Sequence, residues 1–157
     1  MKGDIKMNIL VSGCLLGISC RYNGTGKPSK ELLEYMKEYQ FIPVCPEQLG
    51  GLTTPRLPAE KNGDKVILKD GRDVTDEFMN GAMETLKIAQ MYDCKLAILK
   101  ERSPSCGFGK IYDGTFTGNI INGEGVTAKL LSENGIKVIG ESKIYKLEDI
   151  VNNIRYH

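Results

Sequence analysis

Three cysteines stand in short loop motifs rich in Gly, Pro or Ser: Cys14 in SGCLLGISC, Cys45 in PVCPEQLGG and Cys106 in RSPSCGFG. Each motif follows a short apolar run. A structural cysteine usually lies within an apolar pattern, as Cys94 does in YDCKLAIL. A thiol on a glycine-rich loop at a strand end is placed to bind something. Three soft thiolates without histidine suit an iron–sulfur cluster or zinc. Structural zinc favours four closed ligands, often in CxxC pairs; the chain has no CxxC. A cluster held by three cysteines leaves one iron open, and an open iron is a Lewis acid that can take a substrate atom. Glu47, two residues after Cys45, is placed to act as acid or base there. Ser105, beside Cys106, is placed to orient a substrate or accept a proton. Arg56 and Arg102 can hold an anionic or carbonyl group.

The rest of the composition narrows the chemistry. The single histidine is His157, which disfavours a His-assisted cysteine nucleophile and a Cys–His zinc site. Five cysteines is an odd number, and with no signal segment a reducing cytoplasm fits better than a disulfide framework. Lys+Arg 21 against Asp+Glu 20 gives a net charge of +1, too balanced for a nucleic-acid-binding face. No apolar run reaches the length of a membrane span. The glycines from Gly107 to Gly125 match neither a dinucleotide fingerprint nor a phosphate-binding loop. No pattern specifies an oligomer.

The elements that must position these residues alternate between strand and helix. MNILVS (Met7 to Ser12) reads as a buried strand ending at Cys14. Lys27-Pro28-Ser29 opens a helix with Leu32, Tyr35, Met36 and Tyr39 on one face. FIPV (Phe41 to Val44) is a second strand, and Pro43 places it at an edge. Gln48 to Asp73 is loop-like, with a small hairpin around Lys65 to Lys69. A helix follows to about Tyr92, capped by Thr75, with Phe78, Ala82, Leu86 and Ala89 on its apolar face. LAIL (Leu96 to Leu99) is a third strand that empties into the Cys106 motif. Val126 to Asn134 is a helix stopped by Gly135, and IKVI (Ile136 to Ile139) is a fourth strand. The expectation is one α/β domain over residues 7–157, a mainly parallel open sheet flanked by helices, behind a flexible segment 1–6. All strand C-termini of a parallel sheet point one way, and ligands bind at that edge. Three thiols distant in sequence are therefore expected to converge there.

CLLGISCRYNG, CPEQLGGLTTPR, RSPSCGFGKIYDGTFTG and GEGVTAKLLSENGI together resemble the thiouracil desulfidase family, in the family's order, from Met7 to about Glu141. The resemblance implies an oxygen-sensitive 4Fe-4S cluster held by Cys14, Cys45 and Cys106. It implies Glu47 and Ser105 as assisting residues and leaves Cys20 outside the ligand set. The activity it implies is non-redox removal of sulfur from 2-thiouracil or a related thionucleobase or thioamide, giving sulfide and the carbonyl product. Two other classes remain beside it: a non-catalytic cluster or sulfur carrier, and a cysteine-redox enzyme using Cys14 and Cys20.

Overall fold

The computed structural model describes residues 5–156, so residues 1–4 and His157 lie outside the described residues. In chain order the strands are β1 (Asn8–Ser12), β2 (Gln40–Val44), β3 (Ala59–Asn62), β4 (Lys65–Leu68), β5 (Leu96–Leu99), β6 (Lys110–Tyr112), β7 (Ile120–Asn122) and β8 (Lys137–Gly140). The α-helices are α1 (Lys30–Leu33), α2 (Pro46–Leu49), α3 (Thr75–Met91), α4 (Val126–Glu133) and α5 (Leu147–Tyr156).

Four strands form the central sheet in the order β2-β1-β5-β8, and every pairing in it is parallel. Pro43 lies opposite Val11 on β2, an edge strand where the missing N–H costs little. Alternation sends Ile9, Val11, Leu96 and Ile98 to one face, where Leu32, Tyr39, Leu147 and Val151 cover them. Leu10, Ala97, Leu99 and Val138 go to the other, against Ala89 of α3 and Ala128 and Leu131 of α4. Both faces are buried, which explains why β1 and β5 read as continuous apolar runs. Each fully buried Leu, Ile or Val contributes roughly 1.5–3 kcal/mol.

The structure departs from the sequence expectation at several places. The first helix is a single α-turn that tightens into a 3-10 turn over Glu34–Lys37. The tighter winding carries Met36 away from the core face, where it is exposed while Leu32 is buried. Ser29 caps α1 through its hydroxyl, 3.2 Å from the Leu32 N–H. Thr75 is not the cap of α3. Asp73 accepts from the Thr75 N–H at 2.9 Å and from its hydroxyl at 2.6 Å, and Thr75 Oγ1 is turned to the Val66 N–H. The hairpin begins at Ala59, earlier than its apolar half suggests, because Ala59 to Asn62 is mostly polar. The glycine-rich stretch folds into a second hairpin, β6–β7, which the sequence pattern did not reveal.

Candidate metal centre

The C-terminal edge of the sheet opens into a cavity of about 630 Å³, and Cys14, Cys45, Cys106 and Cys20 all line it. Each thiol arrives by a different local device. Cys14 sits in a 3-10 turn directly after β1, closed by Gly17, whose φ of 98° is one that L side chains rarely adopt. The Cys14 carbonyl accepts from the N–H groups of Gly17 (3.1 Å) and Lys27 (2.8 Å). Cys45 is the residue before α2, with Pro46 setting the first helical φ. Short α2 is pressed against α3 at Gly50 and Gly81, where a Cβ on Gly81 would collide with the Pro46 carbonyl. That close approach fixes the Cys45-Pro46-Glu47 turn.

Cys106 lies seven residues beyond β5. The chain leaves β5 through Lys100, whose ammonium pairs with Glu141 at 2.8 Å and whose N–H donates to Ser12 Oγ at 2.9 Å. Arg102 then takes φ 66°, a left-handed conformation that turns the chain into Ser103-Pro104-Ser105-Cys106. The Cys106 N–H donates to Ser103 Oγ at 3.0 Å. The first N–H groups of α4 donate to this loop: Val126 to the Pro104 carbonyl and Thr127 to the Ser105 carbonyl, both at 2.9 Å. Gly125 carries no side chain because a Cβ would strike Ser105.

Glu47 lines the cavity, and its Oε2 is 3.2 Å from Arg56 Nη2 in a nearly buried ion pair. Arg102 lines the cavity and is exposed to solvent. Ser105 lies elsewhere. It is fully buried, its hydroxyl is 2.8 Å from Thr127 Oγ1, and the serine that lines the cavity from this loop is Ser103. Ser12 also lines the cavity, at the end of β1. Its place as the last residue of a buried strand was the available sequence signal. Cys94 is buried in the core between α3 and β5, as its apolar context indicated.

The electrostatics of the thiols bear on what they can hold. Burial pushes the Cys106 thiol up, with the Glu47 carboxylate adding to it. Hydrogen bonding to Cys20 and burial push Cys45 up. Cys20 is pushed up to about 11, first by its hydrogen bond with Cys14. Thiols so placed ionise readily only against a cationic partner, since burial penalises the bare anion. The redox alternative through Cys14 and Cys20 expects the reverse, a depressed thiol near a cation. Among the described residues no three His, Cys, Asp or Glu side chains gather closely enough to chelate one ion. That disfavours closed mononuclear zinc. Several thiols lining one cavity, with no histidine among them, fit a polynuclear iron–sulfur group.

Fold and site together define a parallel α/β domain with a multi-thiol cavity at its strand ends. The sequence of residues 9–143 matches the model of the 2-thiouracil desulfurase family, and the chain belongs to that family. It is similar to the uncharacterized protein YbbK of Bacillus subtilis (strain 168), 46% identical over 146 residues, covering 87% of this chain and 97% of the relative. It is also similar to the solved structure of the [4Fe-4S]-dependent thiouracil desulfidase TudS, with a TM-score of 0.88 and 43% identity. That likeness covers 94% of this chain and 99% of TudS. No described helix is long and apolar enough to cross a membrane.

Proposed function

We propose that this protein is a [4Fe-4S]-dependent desulfidase. It exchanges the thiocarbonyl sulfur of 2-thiouracil, or of a related thionucleobase, for oxygen from water. The balance is one thiocarbonyl and one water giving one carbonyl and hydrogen sulfide, with no electron transferred. The observation that carries this reading is the meeting of Cys14, Cys45 and Cys106, from loops after three parallel strands, with Glu47 on one cavity wall. Family membership and the likeness to TudS support it.

Cys14, Cys45 and Cys106 would hold the cluster. When bound, it supplies a thiophilic Lewis-acidic iron that polarises a carbon–sulfur bond. The protein's own residues handle water and proton. Glu47 Oε2 is held by Arg56, and among the described residues Oε1 has no protein donor. A carboxylate so placed accepts a proton from water as the oxygen is delivered to the ring carbon, and returns it to the departing sulfur. Ser105 assists from behind Cys106. Its hydroxyl, paired with Thr127, anchors the loop that carries Cys106 and so steadies that ligand. Arg102, exposed on the cavity lining, meets the polar edge of the incoming base.

The test is sulfide release from 2-thiouracil by anaerobically reconstituted protein, with iron and acid-labile sulfide counted on the same sample. A full cluster with release, lost in Glu47→Gln, is the expected result. A full cluster with no release from any thionucleobase would leave a binding protein and end the enzymatic reading.

A further inference from the structure

Arg56 is the most heavily engaged side chain of the cavity. It lies nine residues beyond Glu47, with a side chain only 7% exposed. Nη2 donates both to Glu47 Oε2 at 3.2 Å and to the Cys20 carbonyl at 3.0 Å. Nη1 donates to the Thr53 carbonyl at 3.2 Å and to Thr54 Oγ1 at 3.0 Å. That threonine hydroxyl is itself fixed from α2 by Gln48 Nε2 at 2.7 Å. The Arg56 backbone N–H donates to the Tyr22 carbonyl at 2.7 Å. A guanidinium is planar and presents its donors in fixed directions. With both terminal nitrogens committed to protein acceptors, its fork can clamp an incoming ligand only by releasing one of them.

We propose that Arg56 is a positioning residue for the reaction and not a substrate clamp. It braces Glu47 Oε2 against the Cys20 carbonyl, so that one carboxylate oxygen is held and the other is left for water. The same Cys20 carbonyl accepts from Cys45 Sγ at 3.6 Å. One guanidinium thereby ties the acid–base residue to the loop that flanks two of the proposed ligands. The inference rests on Glu47 being the acid–base group.

Arg56→Met and Arg56→Lys are compared with the parent after anaerobic reconstitution. Iron and sulfide are counted, affinity is measured for uracil (a product that cannot turn over), and kcat and KM are determined for 2-thiouracil. The expected result is a full iron count, unchanged uracil affinity and KM, and kcat lowered roughly 100-fold in Arg56→Met, the scale set by misplacing a reacting group. Arg56→Lys keeps the charge without the fork and recovers part of kcat. In a Glu47→Gln background, Arg56→Met causes no further loss, because residues acting as one unit are not additive. Uracil affinity weakened about tenfold or more with kcat held would make Arg56 a ligand clamp and overturn the proposal. Iron lost in both variants, or losses that add to those of Glu47→Gln, would make it a structural prop and also overturn it. A fast Glu47→Gln enzyme would remove the acid–base reading itself. A slow Glu47→Gln beside a fast Arg56→Met would remove only the role of Arg56.

Discussion

Ser105 Oγ and Thr127 Oγ1 stand 2.8 Å apart, both fully buried, and join the third cysteine motif to the first turn of α4. The bond complements the backbone contact between the same residues, Thr127 N–H to Ser105 carbonyl at 2.9 Å. A side-chain and a main-chain bond between one residue pair fix the Cys106 loop more firmly than glycine-rich sequence would suggest.

Thr127→Val keeps the shape of Thr127 and removes its hydroxyl, leaving Ser105 buried without that partner. The expected cost is about 1–3 kcal/mol of stability, measured as a lowered urea midpoint. Thr127→Ser restores most of it. Equal midpoints for the valine and serine variants would mean the hydroxyl pair contributes nothing.

The cysteines separate by role when replaced one at a time. Cys14→Ala, Cys45→Ala and Cys106→Ala are each expected to lose most bound iron after anaerobic reconstitution. Cys94→Ala, whose thiol is in the core behind the sheet, keeps the parent's iron count. Cys20→Ala also keeps it, although Cys20 lines the cavity. An iron count that falls with Cys20 and holds with Cys14 would exchange their assignments.

Gly81 carries the contact that seats the Cys45-Pro46-Glu47 turn. Gly81→Ala places a methyl against the Pro46 carbonyl, an overpacking expected to cost about 1–3 kcal/mol. It also displaces Glu47, so iron binding and kcat fall with stability. Met83→Ala on the exposed side of the same helix is expected to change the urea midpoint little. Similar midpoints for the two variants would show that α2 simply moves aside.

Asp73 predicts a pH dependence away from the site. Its carboxyl is held below the usual carboxylate range by the Thr75 hydroxyl and N–H. A depressed folded-state pKa contributes stability that is present above the unfolded value, about 3.9, and lost as pH falls through the folded one. Asp73→Ala should therefore lower the urea midpoint at neutral pH, and the gap from the parent should close in stronger acid. A gap independent of pH would assign the effect to something other than the carboxylate.

The strand-end placement of Cys14, Cys45 and Cys106 was legible in the sequence because each follows a short apolar run. MNILVS and LAIL read as interior strands and FIPV, with Pro43, as an edge strand, and parallel strands share one open edge. Asp73 and Asp113 structure their loops for a local reason: each bonds a threonine two positions on. Hairpin β6–β7 was hidden because Ile120 and Ile121 are exposed, so no alternation marked the strands.

The sequence by itself determined the fold class, the four-strand parallel core, the family and the set of thiols. Those follow from local periodicity and from motifs that keep their identity wherever the loops run. Tertiary structure alone decided which polar groups meet. Arg56 reaches Glu47 and the Cys20 carbonyl, 36 positions back, only because the path from α2 to β3 folds over the cavity. Ser105 turns to Thr127, 22 positions on, because α4 begins against its own motif. A buried polar side chain takes the partner that the packed backbone brings within bonding distance, and that distance is a property of the assembled fold.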